Sequence, residues 1–304
     1  MAAMGFAILA LSFASIFITR LEGAGVPPIT IAFYRMALAT CLLAPAALVF
    51  KRREIFSLSR RDLSLFALGG LFLALHFGAW ITSFKYIPIA TSVVLVNSHP
   101  LFVVIASYVF LGDRPTRRHL IGTAIGLAGM AVIGHDGFKG ADFALWGDSL
   151  AILGALAIVG YFIVGRKARA RVSLLAYVTP LYAFCSVILL VWAVGSGSRL
   201  YPYDSTVWFY CMALAVVPTI LGHTVFNWAI KHVKPSAISV VFLGEPVVAS
   251  LLALVLFGQQ PSVSTLIGGV FVLGGVCLTT ATGGPAAVAQ GGPEAEGARL
   301  DSTT

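Results

Sequence analysis

Polar positions are so sparse along this chain that they punctuate it rather than alternate with apolar ones. Between short clusters of Lys, Arg, Gly and Pro run apolar stretches of roughly twenty residues, with neither the period of two of a half-buried strand nor the one-sided stripe of a surface helix. A bilayer core about 30 Å thick needs a helix of that length, because backbone polar groups in lipid must be satisfied within the helix. Ten segments qualify: residues 2–19, 28–50, 63–84, 88–111, 119–135, 144–165, 173–194, 206–230, 235–257 and 263–281. The fifth and tenth are the shortest and most Gly-rich, and both follow a proline, Pro115 and Pro261.

The pattern also occurs twice. His76, Pro88, Ser92, Val93 and Val94 are answered 147 residues later by His223, Pro235, Ser239, Val240 and Val241. From Pro100 onward the offset is 146, so that Gly112, Pro115, Gly122 and Gly129 find Gly258, Pro261, Gly268 and Gly275. A register that slips once and then holds marks a duplicated unit. It predicts a first five-helix repeat over 1–139 and a second over 140–282. Residues 283–304, rich in Gly, Ala, Pro and polar side chains, cannot bury apolar surface and are expected to form a disordered cytoplasmic tail.

Basic residues orient the spans, since cytoplasmic loops collect Lys and Arg. The loops after the second, fourth, sixth and eighth segments hold fourteen, from Lys51 to Lys234; the alternate loops hold Arg20, Lys85, Lys139 and Arg199. Both termini are therefore expected in the cytoplasm, and the number of spans is even. Five crossings per repeat make the second repeat enter from the opposite side, about a pseudo-two-fold axis in the membrane plane. Inverted repeats of this kind build secondary transporters, which bind substrate near the midplane. The expected fold class is an all-α polytopic membrane protein of ten transmembrane helices in two inverted five-helix repeats.

Composition agrees. Hydrophobic residues make up 59% and charged ones 11%, with a mean hydropathy of +0.94, beyond what a soluble core absorbs. Cys41, Cys185, Cys211 and Cys277 lie in apolar segments without metal-type spacing. The first 18 residues carry no basic residue and no cleavage site followed by a polar domain, so the chain is expected to start in its first helix. The net charge of +8 is largely the orientation signal and does not argue for nucleic acid. Residues 160–167, GYFIVGRK, lack the Lys-Ser/Thr ending of a phosphate loop, so no ATP site is expected. With no HExxH, GxSxG or Cys–His cluster, neither catalysis nor a cofactor is called for. The expected partners are the lipid bilayer and a small-molecule substrate, and a monomer suffices.

Polar side chains at membrane depth are costly and usually face a cavity or one another. His76 and Trp80 share a helix face, as do their counterparts His223 and Asn227. The recurrence favours lining of a central cavity over helix packing. Asn97, Ser98, His99 and Pro100 stand mid-segment, as do Gly244, Glu245 and Pro246; the two prolines predict kinks, either hinges or simple bends. Three roles are open to Glu245: binding a substrate ammonium, carrying a coupling proton, or pairing with Arg35. Tyr161 is deep enough to flank a ligand, whereas Trp146 and Trp208 read better as interfacial anchors. Gly122, Gly129, Gly268 and Gly275 suit close packing of the fifth and tenth helices.

Ten helices in two inverted halves, the loop Gly-Asp-Arg-Pro-Thr at 112–116 with its counterpart Gly-Gln-Gln-Pro-Ser at 258–262, and the Gly-rich fifth helix of each half resemble the drug/metabolite transporter superfamily. The chain is most similar to its EamA-type branch, and within it to bacterial exporters of aromatic and other amino acids. The resemblance implies an inner-membrane exporter with a cavity lined by helices 1, 3, 4, 6, 8 and 9. One departure is that Glu245 has no carboxylate counterpart, since Ser98 or His99 stands there.

Overall fold

In the computed structural model, which describes residues 2–138, 145–257, 260 and 262–280, every described element is helical. Helices α1 (Ala2–Ser12) and α2 (Ala14–Gly23) follow each other with a break at Phe13. α3 (Pro28–Phe50) starts on Pro28, at a position whose N–H would have no intrahelical acceptor. The short α4 (Arg52–Phe56) leads to α5 (Arg60–Ser83). There Ser59 Oγ accepts from the Asp62 N–H at 3.1 Å and the Asp62 carboxylate accepts from the Ser59 N–H at 3.2 Å. That reciprocal cap starts the helix ahead of the expected residue 63.

α6 (Ile89–Val96) and α7 (His99–Leu111) are separate helices, and α7 closes on Gly112, whose φ of 70° suits glycine. α8 (Arg117–Phe138), α9 (Leu145–Arg169) and α10 (Leu174–Gly195) follow. α11 (Ser205–Leu214) passes through a π-helical stretch, Ala215–His223, into α12 (Thr224–Ala229). The last elements are α13 (Pro235–Phe242), α14 (Glu245–Phe257) and α15 (Val263–Thr280). Eight helical stretches are long and apolar enough to cross a membrane, and Val263–Thr279 is a shorter apolar helix. Lys139, Gly258, Pro261, the boundary between the expected repeats and the tail from 283 lie outside the described residues.

Two local features differ from expectation. The prolines at 100 and 246 do not kink a continuous helix. The helix stops just before each and restarts, leaving Pro100 and Pro246 in the first turn of α7 and α14, where no intrahelical hydrogen bond is lost. The π-helical stretch has its cause in Pro218, which lacks the N–H that would reach Leu214 O; the Thr219 hydroxyl donates to that carbonyl instead, at 3.0 Å.

α8 lies against α15 through glycine. A Cβ on Gly129 would stand 2.6 Å from Gly268 O and 2.8 Å from Val272 N, and one on Gly122 would stand 2.7 Å from Gly275 O. Gly122 thus meets Gly275 and Gly129 meets Gly268, partners exchanged relative to the sequence repeat. Other contacts come in similarly exchanged pairs: α5 with α9 and α1 with the π-helical stretch; α5 with α10 and α3 with the π-helical stretch; α7 with α9 and α1 with α14. Phe50, Val109, Phe110, Val191, Phe209 and Val270 face outward, a surface compatible with lipid tails.

Polar contacts tie the helices at both ends. At the end with the basic loops, Arg166 Nη1 donates to Ile230 O at 2.7 Å and Lys231 O at 2.8 Å. These bonds carry α9 past the expected end at 165. Lys234 pairs with Asp113 at 3.2 Å, Arg171 with Asp62 at 3.5 Å, and Glu54 accepts from the Ser173 N–H at 2.6 Å. At the other end the Thr30 hydroxyl donates to Arg199 O at 2.9 Å and the Tyr34 hydroxyl to Leu200 O at 2.7 Å.

Candidate functional site

Between these ends lies a cavity bordered by side chains from several helices. His76 and Trp80 reach it from α5, Asn97 and His99 from the break between α6 and α7, His223 from the end of the π-helical stretch, and Glu245 from the start of α14. Six of the eight expected ligand-facing residues are thus brought together. The breaks at 97–98 and 243–244 account for three of them, because a helix that restarts turns its first residues toward the interior.

The histidines are oriented by carbonyls. Gly154 lets α9 approach α5 closely, and His76 Nδ1 donates to Gly154 O at 2.9 Å; His99 Nδ1 donates to Val96 O at 3.1 Å. Because a carbonyl only accepts, each ring carries its proton on Nδ1 and leaves Nε2 as an acceptor when neutral. The His76 ring stacks on Trp80, with centroids 5.8 Å apart. Among the described residues, no hydrogen-bond partner stands at Trp80 Nε1 or His99 Nε2.

Arg35, on α3, is the largest fully buried side chain. Its Nε donates to the Thr219 hydroxyl at 2.8 Å, and its guanidinium lies 4.1 Å above the Phe77 ring. Nη1 and Nη2 have no hydrogen-bond partner among the described residues. Arg35 and Glu245 line the same cavity yet form no ion pair with each other. The three roles held open for Glu245 thus remain to be separated by experiment.

Tyr161 and Asn227 stand elsewhere. The Asn227 amide donates to the Tyr161 hydroxyl and, at 3.3 Å, to that of Tyr182, which shares a hydrogen bond of 3.1 Å with Thr224. Arg169 Nε caps the cluster by donating to Asn227 O at 3.0 Å. These side chains satisfy one another and do not line the cavity that the other six share. Extending the 147-residue offset of the sequence repeat sets Tyr161, Tyr182 and Asn227 against Ala14, Arg35 and Trp80, and all three of the latter line the cavity.

Sequence reasoning missed Arg35 as a cavity residue. Its signal was present, a charge inside an apolar segment, but it was weighed only as a partner for Glu245. The apolar walls, Leu11, Ile158, Val96 and Phe242, had no signal distinguishing them from core.

Comparison with known proteins adds the following. A family model described as EamA-like transporter family matches residues 1–134 and 145–281. An uncharacterized inner membrane transporter of Escherichia coli, YedA, is 27% identical over 266 residues, covering 86% of this chain and 85% of that protein. A protein of Streptantibioticus cattleyicolor named a probable terminal-alkyne amino-acid exporter is 26% identical over 270 residues, 85% of each. A solved crystal structure at 22% identity and a TM-score of 0.77 covers 92% of this chain and 96% of its own, and shares the fold.

Proposed function

Because the chain belongs to the EamA-like transporter family, part of the drug/metabolite transporter superfamily, we propose that it is an inner-membrane secondary transporter that exports amino acids, aromatic and other neutral ones, by alternating access through the central cavity. The observation that carries this reading is the cavity itself: a space between the two sequence halves where Arg35, Glu245, Asn97 and three histidines converge beside apolar side chains. The name of the Streptantibioticus relative supports the substrate class.

Alternating access needs two parts that rock against each other, and the ten-helix inverted-repeat reading provides them. In its favour, α8 and α15 meet with Gly122 on Gly275 and Gly129 on Gly268, the reciprocal pattern of a two-fold contact. The helix contacts that recur with the halves exchanged agree with it. The fourteen basic residues on one side favour cytoplasmic termini.

The test is flux. Purified protein reconstituted in liposomes is expected to move labelled aromatic and aliphatic amino acids. Flux that accelerates with an imposed pH gradient and loses that dependence in Glu245→Gln marks proton coupling; gradient-independent flux marks a facilitator. A second reading, export of another metabolite, a nucleoside or a cationic drug, draws on Glu245 as a cation partner. Arg35 in the same cavity counts against a solute bearing only positive charge. Flux of such solutes with none of amino acids would replace the first reading by the second.

A further inference from the structure

The cavity contains an unmade ion pair. Arg35 and Glu245 both border it, one from α3 and one from the start of α14, and no hydrogen bond or ion pair joins them directly. Opposite charges in a medium of low dielectric attract strongly, so they stay apart only if something holds them. Arg35 is held: Thr219 takes its Nε and Phe77 its face. What remains free is the pair Nη1 and Nη2, two parallel donors in the geometry that grips a carboxylate with two hydrogen bonds.

We propose that Arg35 and Glu245 form a zwitterion site, in which the guanidinium fork takes the carboxylate of an α-amino acid and Glu245 takes its ammonium group. The proposal rests on the reading of this cavity as the substrate site and names the groups that select the substrate. A solute with a single charge would leave one protein charge buried and uncompensated, a heavy cost. Such a solute is therefore excluded from the side that lacks its partner. The remaining walls set the side chain. Leu11, Ile158, Val96 and Phe242 are apolar, and the Trp80 ring offers a flat face, so the substrate side chain is uncharged and apolar or aromatic.

The experiment measures binding by calorimetry to the purified full-length protein. The probes are the neutral amino acids from alanine to tryptophan, each with its carboxamide, which keeps only the positive charge, and its des-amino acid, which keeps only the negative one. At least one amino acid is expected to bind, with its two analogues at least about 100-fold weaker. Arg35→Gln is expected to weaken the amino acid and to tighten its carboxamide, which no longer leaves a guanidinium unpaired. Glu245→Gln is expected to weaken the amino acid and to tighten the des-amino acid, which no longer leaves a carboxylate unpaired.

The idea is overturned if either analogue binds as tightly as its parent, if both variants weaken all three probes alike, or if no neutral amino acid binds. Should Arg35→Gln fail to yield monodisperse protein, the analogue comparison on the unaltered protein decides alone. Liposome flux separates this idea from the transport reading beneath it. Movement of nucleosides or amines without amino acids keeps transport and removes the zwitterion site. The expected binding pattern with no flux of any probe keeps the site and removes transport.

Discussion

The contact between α8 and α15 offers the sharpest structural prediction. Replacing Gly129 with alanine places a methyl group 2.6 Å from Gly268 O and 2.8 Å from Val272 N. Both obstacles are backbone, so no side chain can rotate out of the way, and the helices must part by the better part of an ångström to restore van der Waals distance. Overpacking of this kind costs about 1–3 kcal/mol. At about 2–4 °C per kcal/mol for a chain of this size class, the midpoint of thermal unfolding in detergent should fall by roughly 2 to 12 °C. Gly268→Ala, whose methyl would lie 2.7 Å from Ile133 and as close to Gly129 O as the first variant's lies to Gly268 O, should cost a similar amount. The double variant should cost less than the sum, because one separation relieves both clashes. Gly274→Ala is the control on the same helix, since a methyl there meets nothing within 4 Å. Fluorescence-detected size-exclusion chromatography after heating reads all four. If Gly129→Ala and Gly268→Ala melt with Gly274→Ala, the close approach of the two helices is wrong.

Two further predictions follow from hydrogen bonds outside the cavity. Asn227→Ala deprives the Tyr161 hydroxyl of its donor and should lower stability by about 1–3 kcal/mol, and adding Tyr161→Phe should cost little more because the orphaned hydroxyl is then gone; fully additive losses in melting midpoint would contradict the cluster. Burial pushes the Glu54 carboxyl up, but hydrogen bonds from Ser173 and the charges of Lys51 and Arg169 outweigh it and hold it below its ordinary value of 4.5. Its folded value lies below the unfolded one, so its contribution is present above pH 4.5 and is lost as the pH falls through the folded value. The midpoint of the parent protein should therefore drop more steeply on acidification below pH 4.5 than that of Glu54→Gln, and parallel profiles would refute the interaction.

Much of the architecture is readable in the residues. Apolar length and flanking charge locate helices such as α3 to the residue, because hydrocarbon permits few alternatives to a helix. Proline marks an irregularity near Asn97 and Gly244, though not that the helix stops and restarts there. What the residues do not disclose is which face of the bundle lies open. His76 and Asn227 are equally polar and equally deep, yet one borders the cavity and the other is consumed by two tyrosines. Helical spacing orders residues around one helix and says nothing of a hydrogen-bond partner 66 residues away, as Tyr161 is from Asn227. Arg35 illustrates the converse. Its charge was conspicuous, and only the structure reveals that Thr219 takes its Nε and Phe77 its face.

The unequal filling of the two halves bears on how a solute can lie. A chamber with true two-fold symmetry would receive a solute equally well in two poses, turned end for end, and a passenger with unlike ends would be held indifferently. By the offset of the sequence repeat Ala14 answers Tyr161 and Arg35 answers Tyr182, while Glu245 finds Ser98 or His99. On the proposed reading of this cavity as the transport site, those mismatches remove the equivalence and leave a solute a single way to lie.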